Sequence, residues 1–237
     1  MTKIPTDATV LAVADWSRTV GRGGLLRMAS LSAPEFENLP DPASWLSQPL
    51  LKEYLQLKHE GRRREWIITR WMLLQQLRAV PMGPSKGAAL HVHLERGVNG
   101  QPVWPISPNW GVSISHCPGY AAVLIAPGQV GVDVERCRPQ VHRLADRYLQ
   151  DSEQGVLGTA TEALTLGWAA KEALFKWMGG GGIAFKEAFC IESIQTEEHI
   201  MRVRVQRNSG AEPVVAMVHY ELQPALERVC AWVVDGS

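Results

Sequence analysis

The sequence predicts an α+β fold in which helices are followed by antiparallel strands, twice over, and three observations carry that prediction. Apolar residues recur at three and four residues from Trp45 to Leu77 and again from Val141 to Met178, the spacing of one helix face. Short alternating runs joined by connectors rich in glycine and proline follow each helical stretch, as in antiparallel meanders. At 237 residues with 46% hydrophobic side chains, the chain can bury one large core or two smaller ones without disulfides or a structural metal. No identity between the halves proves an internal repeat, but a ligand cleft is expected where they meet.

Taken in order, residues 1 to 45 mix short apolar pieces with Pro5, Pro34, Pro40 and Pro42, and with Gly23-Gly24 they predict strands and turns. After Gly61, the positions Trp66, Ile67, Arg70, Trp71, Leu74 and Leu77 mark a long amphipathic helix entered through Arg62-Arg63-Arg64 and ended by Pro81, Gly83 and Pro84. Leu90–Leu94, alternating with His91 and His93, predicts a strand, and Gly97, Asn99, Gly100 and Pro102 a loop. Val112–His116, Ala121–Ile125 and Val130–Glu135 are separated by Cys117-Pro118-Gly119 and Ala126-Pro127-Gly128, which predicts a three-stranded antiparallel meander. The helical pattern from Val141 is interrupted around Gly155–Gly158 and stops at Gly179–Gly182. Ile200–Val205, Val214–Tyr220 and Arg228–Val234 then predict a second meander.

Charge and cysteine usage narrow the function. With 24 basic and 24 acidic side chains, the chain lacks the footprint of a nucleic-acid binder, so any polyanion site must be a local cluster. Cys117, Cys137, Cys190 and Cys230 lie far apart with no C-x-x-C pairing, which argues against a zinc site or a disulfide framework and fits a reducing cytoplasm. Val10–Val13 is too short an apolar run for a signal peptide, and no stretch approaches the roughly 18 apolar residues of a membrane span. A cytoplasmic protein that binds neither membrane nor nucleic acid is expected.

Two stretches carry chemistry. In Gly131–Glu135, GVDVE, the two-residue period of a strand sends Val132 and Val134 to the core and gathers Asp133 and Glu135 on the other face, sharing a patch of surface. In Trp168–Lys176, WAAKEALFK, helical spacing places Glu172 and Lys176 one turn apart, with Trp168 a turn earlier on the same side. Packed together, three carboxylates and a lysine suit Mg²⁺ and a phosphate better than a soft metal. Taken alone, the acid pair also fits a solvent-facing strand, and Glu172 with Lys176 a surface ion pair. His91, His93, His142, His199 and His219 have no companion acids at ligand spacing and read as structural or surface residues.

GVDVE followed after 32 residues by W-x-x-K-E-x-x-x-K resembles the signature of the 4′-phosphopantetheinyl transferases, in particular the longer Sfp-type enzymes of the holo-acyl-carrier-protein synthase superfamily. Two weaker elements occur in the family's order: a basic helix, RRREWIITR, and a strand ending Ser115-His116. Together they cover roughly residues 60 to 180. The resemblance implies two similar halves related by a pseudo-twofold, 1–128 and 129–237, with the metal site in the second. It implies Mg²⁺-dependent transfer of the phosphopantetheine arm from coenzyme A, the co-substrate, to a serine of an apo acyl or peptidyl carrier protein.

By the same resemblance Asp133 and Glu135 hold the metal, Glu172 ligates it, acts as general base or does both, and Lys176 contacts the phosphate. His116 with Ser115 meets a coenzyme A phosphate, Arg62 is the nearest match for the 3′-phosphate, and Arg70 stands at the family's Gly-Arg position with Thr69 replacing the glycine. Trp168 fits a packing residue that fixes the helix over the strand. The chain departs from the family at Gly100-Gln101-Pro102, where a lysine is common. Arg136, Arg138, Arg143 and Arg147, just past the metal strand, fit either a basic rim for an acidic carrier helix or an ordinary solvated face. Two fused halves make a monomer sufficient. The alternatives are a catalytically silent coenzyme A or carrier-protein binding module of the same fold and a metal-dependent phosphohydrolase.

Overall fold

The computed structural model describes residues 16–80, 91–207 and 210–236. Pro5, Val10–Val13, Pro81, Gly83, Pro84 and Leu90 lie outside them. The first half runs β1 (Trp16–Val20), β2 (Gly24–Ser30), α1 (Gln48–Gln56), α2 (Glu60–Ala79), β3 (Glu95–Arg96), β4 (Pro102–Val103), β5 (Trp110–Cys117) and β6 (Tyr120–Pro127). The second runs β7 (Val130–Arg136), α3 (Val141–Tyr148), α4 (Asp151–Leu157), α5 (Thr161–Trp177), α6 (Phe185–Ala188), β8 (Phe189–Gln195), β9 (Ile200–Val205), β10 (Val214–Gln223) and β11 (Arg228–Val234). Among the described residues no helix is long and apolar enough to cross a membrane.

Two antiparallel sheets result, ordered β1-β2-β6-β5-β4-β3 and β7-β11-β10-β9-β8. Leaving aside β1, the two orders are the same: the first strand pairs with the last, and the major helices lie between the first and second strands. Three apolar layers hold this together. Ile68, Met72, Leu73 and Leu77 of α2 pack on Val123 and Ile125 of β6. Leu166, Ala169, Ala170 and Ala173 of α5 pack on Val203, Val218, Val229 and Ala231. Between the sheets lie Leu26, Met28, Ala122 and Leu124 from one and Val132, Val134, Cys230 and Trp232 from the other. Strands β6 and β11 are therefore buried on both faces, which is why AAVLIA and VCAWVV read as continuous apolar runs rather than alternating ones.

Three expectations need correction. Val112–His116 and Ala121–Ile125 do form a hairpin as β5 and β6, but β7 leaves it and pairs with β11 over Val130↔Val234 to Arg136↔Arg228. A short connector cannot distinguish a hairpin from a strand that changes sheet, and burial in the inter-sheet layer together with a full ladder on β11 decides for the latter. The helical stretches are also divided between Gln56 and Glu60 and between Tyr148 and Asp151, and the interruption expected around Gly155–Gly158 falls between Leu157 and Thr161, with Gly155 inside α4 and Gly158 ending it. Strand β8 was not expected; a register shift between Ile191 and Ser193 breaks the alternation that would have revealed it.

Candidate functional site

Gly131 sets the site's geometry. A Cβ there would lie 1.8 Å from the Ala173 carbonyl oxygen, so the absence of a side chain lets α5 rest backbone to backbone on β7. That approach brings the Trp168, Glu172, Lys176 face of α5 over the Asp133, Glu135 face of β7. Lys176 Nζ donates to Asp133 Oδ1 at 2.6 Å and to the Val132 carbonyl at 3.0 Å. Trp168 Nε1 donates to Glu135 Oε1 at 3.1 Å, and its ring meets Tyr148 edge-on at 5.2 Å. The tryptophan thus holds an acid as well as packing the helix.

The acids do not share an open surface. Asp133 is only 4% exposed, because α5 covers the face that alternation left to solvent. Its Oδ1 accepts from Lys176 and from Ser115 Oγ at 2.7 Å, whereas its buried Oδ2 has no partner in the protein. Burial, then the charges of Asp133 and Glu172, push the Glu135 pKa up to about 7 against the opposing Trp168 hydrogen bond and Lys176. Burial and Asp133 likewise raise the Glu172 pKa, with Lys176 opposing. Three carboxylates thus crowd one lysine.

That donor set fits a hard divalent cation, and the orphaned Oδ2 is the atom that most needs one. Among the described residues, however, no three His, Cys, Asp or Glu side chains are grouped as a ready-made metal cage. Mg²⁺ does not require one, because it keeps waters and takes one or two carboxylates with phosphate oxygens.

The cationic side of the site comes from α2 and β5. His116, at the exposed end of β5, has Nδ1 3.4 Å from Glu65 Oε2. Partial burial of its ring lowers its pKa, Glu65 opposes, and Arg62, Arg70 and Lys176 each lower it further, so these cations share its neighbourhood. The Arg62–Arg64 run divides by role: Arg63 and Arg64 donate to the Leu57 and Leu31 carbonyls, while Arg62 is exposed beside His116. Arg70 stacks over Trp66 at 4.2 Å and donates to Thr69 Oγ1 at 3.0 Å; its buried Nε has no partner, and burial lowers its pKa to about 10. A cationic cluster of this kind suits phosphate groups.

Ser115 lies below this surface with its hydroxyl on Asp133. Gln101 folds back into its own turn, accepting from the Asn99 backbone N–H at 3.0 Å, and Asn99 Nδ2 donates to the Gly179 and Gly180 carbonyls at 2.9 and 3.3 Å. The loop at the expected lysine position therefore clasps the end of α5. Residues 179–182 all have positive φ, which explains the four glycines. Sequence reasoning did not foresee this clasp, nor the buried Lys171–Glu153 pair at 2.8 Å that ties α5 to α4. The alternation of Ser113 and Ser115 was the available signal for their contact with β7.

Comparison with known proteins covers the same two halves. The chain matches the 4′-phosphopantetheinyl transferase superfamily over residues 129–230 and the 4′-phosphopantetheinyl transferase N-terminal domain over residues 52–126. It is similar to enterobactin synthase component D of Salmonella typhi, 35% identical over an alignment of 103 residues that covers 38% of this chain and 43% of that protein. The similarity thus spans less than half of that relative's length.

Proposed function

Because the chain belongs to the 4′-phosphopantetheinyl transferase superfamily, we propose that it transfers the 4′-phosphopantetheine arm of coenzyme A to a serine of an apo acyl or peptidyl carrier protein, releasing adenosine 3′,5′-bisphosphate. Asp133 carries this reading: a buried carboxylate with one oxygen held by Lys176 and Ser115 and the other unpartnered beside two further acids. Asp133, Glu135 and Glu172 would hold Mg²⁺, which when bound neutralises pyrophosphate charge and polarises phosphorus.

The protein's own groups supply the rest. The carrier serine oxygen forms a bond to the phosphorus bearing the pantetheine arm, and the bond from that phosphorus to the oxygen of the 5′-phosphate breaks. Glu172 takes the serine proton; burial beside Asp133 raises its pKa, which makes it a better acceptor than an ordinary glutamate. Lys176 balances charge on the departing phosphate. Arg62, Arg70 and His116 bind coenzyme A phosphates, with Arg62 at the 3′-phosphate.

The two-half topology supports an Sfp-type enzyme divided at 128/129 and complete as a monomer. Arg138, Arg143 and Arg147 are exposed around Leu144 on and before α3, a surface suited to an acidic amphipathic helix of the carrier; Arg136 is instead paired with Glu227 at 3.5 Å. Four free cysteines support a reducing, cytoplasmic setting.

The reaction is tested by incubating the protein with coenzyme A, Mg²⁺ and apo carriers and resolving the nucleotides. Adenosine 3′,5′-bisphosphate should appear only when a carrier is present and vanish with chelator. Free phosphate released without carrier would point to a phosphohydrolase instead, and coenzyme A binding with no product to a silent module.

A further inference from the structure

We propose that Ser115 is a positioning residue that acts through Asp133, turning one carboxylate oxygen toward a bound divalent cation, and that it is not itself a coenzyme A contact. The proposal rests on the metal-dependent transfer proposed above. It starts from the edge of β7. One side of this strand pairs with β11, and on the other side its amides meet no strand ladder. Val132 N and Val134 N donate instead to Ser113 Oγ at 3.0 Å and Ser115 Oγ at 3.3 Å, so two hydroxyls of β5 stand in for backbone carbonyls.

A serine hydroxyl has one proton and two acceptor sites. Ser115 spends an acceptor site on the Val134 amide, which leaves its proton for Asp133 Oδ1 at 2.7 Å. Lys176 Nζ takes the same Oδ1 at 2.6 Å. Two donors on one oxygen fix the carboxylate and leave Oδ2 buried without a partner, an arrangement costly for an anion unless a cation faces it. Ser115 has no proton left for a phosphate and is 6% exposed, whereas the adjacent His116 is exposed. Ser113 provides an internal comparison. It makes the same contact with β7, is equally buried, and touches no carboxylate.

The test is Mn²⁺ binding by the full-length protein, read by electron paramagnetic resonance with neither coenzyme A nor carrier present, alongside the coenzyme A KM at saturating Mg²⁺. Ser115→Ala should weaken Mn²⁺ binding by roughly tenfold to a hundredfold, the usual effect of losing a hydrogen bond to a metal ligand. Its coenzyme A KM should stay unchanged. Ser115→Thr, which keeps the hydroxyl, should restore binding, and Ser113→Ala should leave it intact. If Ser115→Ala does not fold, Ser115→Cys, a weaker donor of similar size, should show a smaller loss of the same kind. Wild-type Mn²⁺ affinity in the Ala or Cys variant overturns the proposal, as does a raised coenzyme A KM with metal binding unchanged. If the wild-type protein takes up no Mn²⁺, the metal reading itself fails and this proposal falls with it.

Discussion

Glu172 stands one helical turn before Lys176, half-buried beside Asp133, and in the proposed reaction it accepts the carrier serine's proton. Glu172→Gln should lower transfer by roughly 10² to 10⁴, the usual contribution of a general base, while circular dichroism melts show the fold retained. Near-normal turnover would remove Glu172 from the mechanism. Glu135 gives a pH signature. Its pKa rises from 4.5 to about 7 in the folded protein, so between those values the native state holds more protons than the unfolded chain. Stability of the metal-free protein should therefore fall as pH rises from about 4.5 to about 7, and Glu135→Gln should flatten that fall, as thermal melts at each pH would show. The acids themselves were legible in the alternation of GVDVE. Their burial was not, because a strand pattern does not reveal that a helix will cover its polar face, and the tie from Ser115 was hidden because it crosses between strands that share no backbone ladder.

At the scale of elements, the site depends on how closely α5 lies on β7. Gly131→Ala would force its Cβ into the Ala173 carbonyl, at 1.8 Å on the present backbone. It should cost about 3 kcal/mol in urea denaturation, the upper part of the range for overpacking. It should also slow transfer by drawing Lys176 away from Asp133; a variant with wild-type stability would show that the helix can shift freely. Lys171 faces away from the carboxylates, buried with Glu153 and bonded to the Tyr148 carbonyl. Lys171→Met strands the Glu153 charge and should destabilise by about 3–5 kcal/mol, and Glu153→Gln in the same protein should recover part of the loss. Helix positions were readable from the apolar period because α2 and α5 each lay one face on a sheet. Their breaks were less so, since the capping box of α4, Gln150 with Glu153, uses residues that look like ordinary helix surface. The role of β7 was misread for a related reason: its pattern specifies burial, not which sheet supplies the ladder.

At the scale of the whole molecule, two sheets with the same strand order pack face to face between α2 and α5, and the metal-ligand candidates and the basic cluster meet where β5 runs beside β7. The recurrence of helix then strands was visible in the sequence. The contact between the halves was not, because it is made by alternate residues of strands that each half also needs for its own core. Carrier recognition belongs to this scale. Charge reversal at Arg138 and Arg143 should raise the KM for the carrier and leave that for coenzyme A unchanged, and unaltered carrier kinetics would dismiss the rim on α3. The central claim is tested most directly by the intact mass of purified apo carrier proteins after incubation with this protein, coenzyme A and Mg²⁺. The account predicts that at least one carrier gains the mass of a single phosphopantetheine, and that chelator or Glu172→Gln prevents the gain. A panel of acyl and peptidyl carriers that all keep their apo mass would contradict it.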